Sequence, residues 1–222
     1  MRTFGLIGRN LSHSFSTKHF NEKFSKEGIS DAEYLNFEIN DISKFTYLIK
    51  TRKLSGLNVT IPYKQSIIPF LDKLTEEAKN IGAINTIQFK DQKLIGHNTD
   101  IIGFKESIFP ILDGRDTALI LGNGGAAQAI KLALEQLNIS FKVVTRESSF
   151  NYSNISNQDI ESSSIIINTT PLGILSNAKS YPKIPYEALT ENHLLFDLTY
   201  NPSESLFLKY GRAYNCKTKN GL

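Results

Sequence analysis

The sequence predicts an α/β protein of two lobes, and three observations carry that reading. The first hundred residues alternate short apolar runs with amphipathic stretches in a strand–helix–strand–helix order, which suggests a mixed or parallel sheet with helices packed on it. Beyond Asp100, the all-apolar run Thr117–Leu121 passes straight into Gly122-Asn123-Gly124-Gly125-Ala126-Ala127, then into a helix over 128–137 and a further strand over 141–144. Strand, glycine-rich turn, helix and strand in that order form the first unit of a Rossmann-type, doubly wound sheet. The length, 222 residues, falls between one and two domains of about 150 residues. The expected division is a first lobe over 1–100 and a second over 101–222.

Each element has a local reason. Residues 3–8 read as a buried strand. Residues 16–27 carry Phe20 and Phe24 one helical turn apart, and Gly28 sits where a C-terminal cap belongs. Leu35, Phe37 and Ile39 alternate as in a strand, while Phe45, Leu48 and Ile49 mark one face of a helix. Residues 56–61 form a strand that Pro62 ends. Thr75-Glu76-Glu77 opens a helix with its acids in the first turn, where the helix dipole favours them. Residues 86–89 and 94–96 flank Lys90-Asp91-Gln92-Lys93 as a hairpin. The second lobe opens after Asp100 with a helix that ends near Pro110, and Asp113-Gly114 marks a turn. Residues 147–164, rich in Ser and Asn, read as a long polar connection with room for a short helix. Residues 164–167 and Leu194–Asp197 read as later parallel strands.

Composition excludes several classes. The chain is 40% hydrophobic and 21% charged, an ordinary globular balance. Its 25 Lys+Arg against 22 Asp+Glu give +3, too small an excess to argue for a nucleic-acid partner. Cys216 is the single cysteine and cannot form an internal disulfide, and with four His it makes no cluster of zinc-ligand spacing, so no metal is expected. The N-terminus lacks the apolar run of a signal peptide, and no run approaches the roughly 18 residues of a membrane span. The expectation is a reduced, cytoplasmic protein with no membrane partner.

Two groups of residues carry chemistry. Gly122, Gly124 and Ala127 fit the G-x-G-x-x-G/A template, in which the turn lets a pyrophosphate approach the backbone and the N-terminus of the following helix. The alternative is a plain tight β–α turn. The next strand ends in Thr145-Arg146, where an NAD site usually carries an acid. An Arg there pairs with a 2′-phosphate and favours NADP; the adjacent Glu147 pulls the other way, and a solvated Arg146 is the structural alternative. In the first lobe, Ser12-His13-Ser14-Phe15-Ser16, residues 58–64 (Asn-Val-Thr-Ile-Pro-Tyr-Lys), Asn85-Thr86 and Asn98-Thr99-Asp100 all stand at strand ends. Hydroxyls and amides so placed suit a small polyhydroxylated or acidic ligand. Each also has a structural reading. Ser14 or Ser16 can cap a helix, Asn58 and Asn85 can bond local backbone, Asp100 can be the N-cap of a helix from Ile101, and Lys64 can be a surface lysine.

Taken together the motifs resemble the shikimate dehydrogenase family. They are Ser-His-Ser-x-Ser at 12–16, Asn-Val-Thr-Ile-Pro-x-Lys at 58–64, Gly-Ala-Ile-Asn-Thr at 82–86, Asn-Thr-Asp at 98–100, Gly-x-Gly-Gly-Ala at 122–126, Asn-Thr-Thr-Pro-Leu-Gly at 168–173 and Asp-x-x-Tyr-Asn-Pro at 197–202. Their joint order, from end to end of the chain, makes the resemblance specific. It implies an N-terminal substrate lobe, an NADP-binding lobe with a cleft between the two, and reversible NADPH reduction of 3-dehydroshikimate to shikimate in aromatic amino-acid biosynthesis. It implies that Ser14 and Ser16 grip the substrate carboxylate, that Thr60, Asn85 and Asp100 face the ring hydroxyls, and that Tyr200 closes the pocket. Lys64 is then the catalytic residue with Asp100 as its partner. Gly122, Asn123, Gly124, Gly125 and Ala126 hold the pyrophosphate, Thr145 and Arg146 the 2′-phosphate. Leu198 and Gly221 line the nicotinamide, and Glu76 has a weaker role near the cofactor. The implied partner is the small-molecule substrate, for a monomer or homodimer.

Three positions depart from the family pattern. His97 stands where the family has an acid, as a cleft-edge or a surface imidazole. Asn123 occupies the variable position of the glycine-rich turn. The chain ends at Asn220-Gly221-Leu222, where the family continues into a helix bearing a substrate-binding Gln; the expectation is a truncated chain or gene. Two rival readings follow: a weakly active or inactive NADP-binding protein of the same fold, and an NAD-using quinate/shikimate dehydrogenase, against which Thr145-Arg146 speaks. His13, His19, His193 and Cys216 are assigned to structure or surface.

Overall fold

In a computed structural model of the chain, which describes residues 1–12 and 14–221, the backbone divides into two units, Met1–Thr99 and Asp100–Leu222. His13 lies outside the described residues. The first unit contains β1 (Arg2–Gly8), α1 (Ser16–Lys26), β2 (Ala32–Glu38), α2 (Lys44–Thr51), β3 (Gly56–Val59), β4 (Lys73–Leu74), α3 (Glu76–Ile81), β5 (Thr86–Lys90) and β6 (Lys93–His97). They form a six-stranded sheet in the order β2-β1-β3-β5-β6-β4. Strands β2, β1 and β3 run parallel, whereas β5 is antiparallel to both β3 and β6. The sheet is therefore mixed.

Helix α1 lays Phe20 on Tyr34 of β2 with stacked rings 4.5 Å apart. It ends where Gly28 takes φ +68 and Ile29 N–H reaches back to Phe24 O at 2.8 Å, a left-handed stop that a glycine adopts without strain. Asp91 and Gln92, both at positive φ, make the two-residue turn between β5 and β6, the conformation whose twist suits a tight hairpin. Phe45, Leu57, Val59, Ile67, Ile84 and Ile87 form the core on one face of this sheet. Strand β3 stops at Val59, two residues before the sequence suggested: Thr60 N–H makes the last bond to β1, on Ile7 O, and Tyr63 N–H then closes a turn on Thr60 O.

The second unit contains α4 (Asp100–Ile108), β7 (Thr117–Leu121), α5 (Gly125–Gln136), β8 (Ser140–Val144), α6 (Asn157–Glu161), β9 (Ile165–Asn168), β10 (Leu194–Asp197), α7 (Leu206–Ala213) and β11 (Lys217–Lys219). All five strands are parallel, in the order β11-β10-β9-β7-β8. Every residue of β9 and β10 is buried, as expected where helices cover both faces of a parallel sheet. From β7 the chain winds first to β8 and then back to β9 on the other side, which makes the β7/β9 edge a topological switch point. Helix α5 presents Ala127, Ala129 and Ala133 as buried residues, side chains small enough for close helix–sheet approach. It begins at Gly125, three residues earlier than the sequence suggested, so the end of the glycine-rich turn is already helical. The Ser/Asn-rich connection holds the short helix α6, started by a reciprocal Ser156–Asp159 capping box. Among the described residues no helix is long and apolar enough to cross a membrane.

Phe45 is wholly buried and meets Phe70 edge-on at 5.9 Å. Phe45→Ala is expected to lower the unfolding free energy by about 3–5 kcal/mol, read from the urea midpoint; a loss below about 1 kcal/mol would contradict this account of the first core.

Candidate active site

In the first unit the candidate residues gather at one end of the sheet, where β1, β3 and β6 finish and β5 begins. Thr60 N–H donates to Ile7 O at 2.9 Å, Val59 N–H to Asn85 O at 2.8 Å and Ile84 N–H to Lys64 O at 2.8 Å. These bonds put Thr60, Lys64 and Asn85, all half-buried, on neighbouring strand ends. A Cβ on Gly8 would stand 2.5 Å from the Leu11 side chain and 2.8 Å from Thr60 Cγ2, so only a glycine lets the serine-bearing loop fold over beside Thr60. A cavity of about 510 Å³ lined by Ile49, Phe70, Phe89 and Leu94 opens at the opposite, hairpin end of the sheet and holds none of these residues.

The serine loop is tied down by two residues of β2 that sequence reasoning missed. Glu38 Oε1 accepts from Leu11 N–H at 2.6 Å, and Asn36 accepts from Thr17 Oγ1 at 2.7 Å while its amide donates to Leu11 O at 3.3 Å. Their alternation with Leu35 and Phe37 was visible, but alternation alone reads as a solvent face. Helix α1 has Phe15 at its N-cap with no side-chain cap, and Ser14 Oγ accepts from Ser16 N–H at 3.3 Å. Neither serine is the side-chain N-cap that the structural reading offered.

The asparagines knit the strand ends together. Tyr34 OH donates to Asn58 Oδ1 at 2.7 Å, and Asn58 Nδ2 donates to Thr86 Oγ1 at 3.1 Å. Asn85 Nδ2 donates to Thr99 Oγ1 at 2.9 Å and its Oδ1 accepts from Thr99 N–H at 3.0 Å. Buried Asn98 donates to Ala83 O at 3.0 Å. The backbone-bonding reading of Asn58 and Asn85 therefore holds in part, and the bonds that satisfy it fix Asn85 at the sheet end. Asp100 is the first residue of α4, one place inside the helix it was expected to cap. Glu76 is exposed at the start of α3 and pairs with Lys79 at 2.6 Å. His97 faces Gln88 at 3.2 Å across the hairpin.

In the second unit the remaining candidates stand at the carboxyl ends of the parallel strands. Gly122 has φ +105, and a Cβ there would lie 2.9 Å from Thr169 Oγ1 and 3.0 Å from Thr170 Cγ2, so glycine is required both by conformation and by the approach of the loop after β9. At Gly124 a Cβ would meet nothing within 4 Å, which leaves room above the turn. Helix α5 starts behind it with no side-chain cap and no acidic residue in its first turn, so its first N–H groups and positive dipole end are suited to an anion. Asn123 Oδ1 takes bonds from Gln128 Nε2 at 3.1 Å and from Lys131 Nζ, which turns its side chain onto α5.

Beyond β8, Thr145 Oγ1 accepts from Ser148 N–H at 3.0 Å and Glu147 N–H at 3.3 Å, a compact turn that carries Arg146 exposed. Tyr152, which the sequence did not single out, has a buried hydroxyl without a hydrogen-bond partner. Burial pushes its pKa up to about 12 against the opposing pull of the Arg146 charge. Leu198 and Gly221 are brought together: Gly221 N–H donates to Thr199 O at 3.3 Å, and a Cβ on Gly221 would stand 2.3 Å from Leu198 O. Tyr200 is 40% exposed in the same segment. These features fit a phosphorylated dinucleotide: an open turn against an uncapped helix start, with a guanidinium at the end of the next strand. Among the described residues no group of three or more metal-ligating side chains occurs.

His193 and Cys216 are structural. The His193 ring lies between Thr190 N–H at 3.0 Å and Ile160 O at 3.1 Å. Cys216 is buried with its thiol on Thr190 O at 3.2 Å, and burial pushes its pKa up to about 11. His19 lies on the surface of α1 between the Phe15 and Phe20 rings.

Comparison with known proteins identifies the family and the fold. A family profile described as the shikimate dehydrogenase substrate binding domain matches residues 6–87. The chain is 37% identical over 241 residues to the shikimate dehydrogenase (NADP(+)) of Clostridium beijerinckii, covering 100% of this chain and 87% of that protein. The solved structure of shikimate dehydrogenase 1 from Peptoclostridium difficile matches with a TM-score of 0.85 at 36% identity, over 100% of this chain and 86% of that one. Shikimate 5-dehydrogenase from Thermus thermophilus, solved in complex with NADP(H) and shikimate, matches with a TM-score of 0.86 at 26% identity, over 100% and 87% of the two chains. Likeness of this extent, in sequence and in fold and through both units, makes the chain a member of the shikimate dehydrogenase family of oxidoreductases.

Proposed function

We propose that this chain interconverts 3-dehydroshikimate and shikimate with NADP, in the cytoplasm and as a step of aromatic amino-acid biosynthesis. The first unit is the substrate and catalytic lobe and the second the dinucleotide lobe. The observation that carries the reading is the tie of Lys64 O to Ile84 N–H, which supports a half-buried lysine beside Thr60 and Asn85. When bound, the reduced nicotinamide supplies the hydride. As negative charge develops on the ketone oxygen, that oxygen needs a proton, and the Lys64 ammonium donates it as general acid. In the oxidative direction a neutral Lys64 removes the hydroxyl proton. Such positioned proton transfer contributes typically about 10²–10⁴-fold in rate.

The other residues orient the substrate. Ser14 and Ser16 donate hydroxyl hydrogen bonds to its carboxylate, and Thr60 and Asn85 hold the ring hydroxyls. Asp100 accepts from an adjacent hydroxyl and orients Lys64, and Tyr200 closes the pocket. In the second unit, residues 122–126 take the pyrophosphate on backbone N–H groups, and Leu198 with Gly221 lines the nicotinamide. Thr145 and Arg146 hold the 2′-phosphate through a charge-assisted, bidentate contact. The preference for NADP over NAD rests on Arg146 ending the second strand, where an NAD site has an acid.

Shikimate-dependent reduction of NADP+ by the purified protein tests the reading, and cofactor affinity without turnover would favour a binding protein of the same fold. Lys64→Ala is expected to lower kcat by about 10²–10⁴-fold with KM little changed; near-wild-type turnover would remove Lys64 from the mechanism. Arg146→Ala is expected to weaken NADPH by about tenfold or more with little change for NADH. Equal losses for both coenzymes would reject the 2′-phosphate role.

A further inference from the structure

Asp197 ends β10 with no exposed surface. A carboxylate so placed is costly unless hydrogen-bonded, and burial pushes its pKa above the ordinary carboxylate value against the opposing effect of its hydrogen bonds. Its bonds run to separate segments at the end of the parallel sheet. One oxygen, Oδ1, accepts from Thr199 N–H at 2.9 Å and from Asn168 Nδ2 at 3.0 Å; the other, Oδ2, accepts from Ser205 Oγ at 2.5 Å. Asn168 in turn holds the loop after β9, accepting from Thr170 N–H at 3.0 Å and donating to Leu172 O at 3.1 Å. Ser205 is the N-cap of α7.

Residues 198–200 leave β10 through this knot. Their flanks are fixed by Leu198 N–H on Asn168 O at 3.0 Å and by Gly221 N–H on Thr199 O at 3.3 Å. Between these backbone bonds, Asp197 Oδ1 is the side-chain acceptor that turns Thr199 N–H inward, and so sets the direction in which Leu198 and Tyr200 depart.

We infer that Asp197 is a positioning residue for the reaction, holding residues 198–200 through its Oδ1 bonds so that Leu198 meets the nicotinamide and Tyr200 meets the substrate. The inference rests on the roles proposed above for Leu198 and Tyr200. The two oxygens have different duties: Oδ1 holds the reaction-facing segment, and Oδ2 supports the cap of α7.

Steady-state kinetics on the full chain separates these duties. Asp197→Ala is expected to raise the KM for shikimate about tenfold or more, the loss expected of a hydrogen bond to a charged acceptor. The Kd for NADP+, measured by titration, should rise less than the shikimate KM, because residues 122–126 and Arg146 lie on other strand ends and Leu198 meets the nicotinamide alone. Asp197→Asn keeps a carbonyl at Oδ1 and should restore most of the KM. Ser205→Ala should lower Tm and leave the shikimate KM unchanged. Where the alanine variant does not fold, Asp197→Leu, of similar shape but with no acceptor for Thr199 N–H, carries the same criterion. Folded protein with an unchanged shikimate KM, or an asparagine variant as impaired as alanine, would overturn the inference. Tyr200→Ala run alongside tells the two failures apart: unchanged KM there removes the underlying role of the segment, whereas an impaired Tyr200 variant beside an unimpaired Asp197→Ala rejects the positioning role alone.

Discussion

The backbone hydrogen bonds Val59 N–H to Asn85 O and Ile84 N–H to Lys64 O are the constraint on which the first unit's site depends. They exist because β5 runs antiparallel to β3. In a sheet of parallel strands alone, the start of β5 would lie at the far end from Thr60. The single reversal brings residues 82–86 to the end of β3, and the hairpin return along β6 delivers Asn98 and Thr99 to the same place. Four motifs far apart in sequence thus share one sheet end. The asparagines there act as joints: Asn58 and Asn98 both bond the 82–86 segment and Asn85 bonds Thr99, and each bond removes freedom from the loop that carries a polar side chain. Such ordering before the ligand arrives reduces what binding must still immobilise.

The second unit reaches the same result by another route. Its sheet is wholly parallel, so every strand ends on one side and every candidate residue follows a strand end: Gly122 after β7, Thr145 after β8, Leu198 after β10 and Gly221 after β11. The switch point between β7 and β9 separates the loops enough for a ligand, while the Gly122–Thr169 approach keeps the turn low. Apolar strands buried on both faces fix the sheet, and the candidate residues are confined to the loops. Asp197 is the exception, a buried carboxylate inside the strand layer, bonded to the segments that leave it.

Much of this was legible in the sequence. The strand–glycine turn–helix unit, the left-handed Gly28, the Asp91-Gln92 hairpin and the apolar parallel strands each carry a local signal, and each formed as expected. Strands β4 and β11 were not legible: Lys73-Leu74 and Lys217-Thr218-Lys219 are short edge strands held by backbone pairing, with no apolar pattern to reveal them. The start of α5 was misplaced because glycine and alanine carry little amphipathic signal. The second group of misses has a different cause. Glu38, Asn36 and Asn168 bond residues distant in sequence, and a polar side chain looks alike whether it bonds water or a remote amide. The roles proposed for Lys64 and Asp100 rest on the joint order of several motifs, since neither residue type at its position names a reaction.

The account turns on the proton path through Lys64. A crystal structure of the chain with shikimate and NADP tests it most directly. The predicted result is Lys64 Nζ within hydrogen-bond distance, about 2.7–3.2 Å, of the ring oxygen whose carbon faces the nicotinamide. Density showing that amine turned to solvent, with another group on the oxygen, would contradict it.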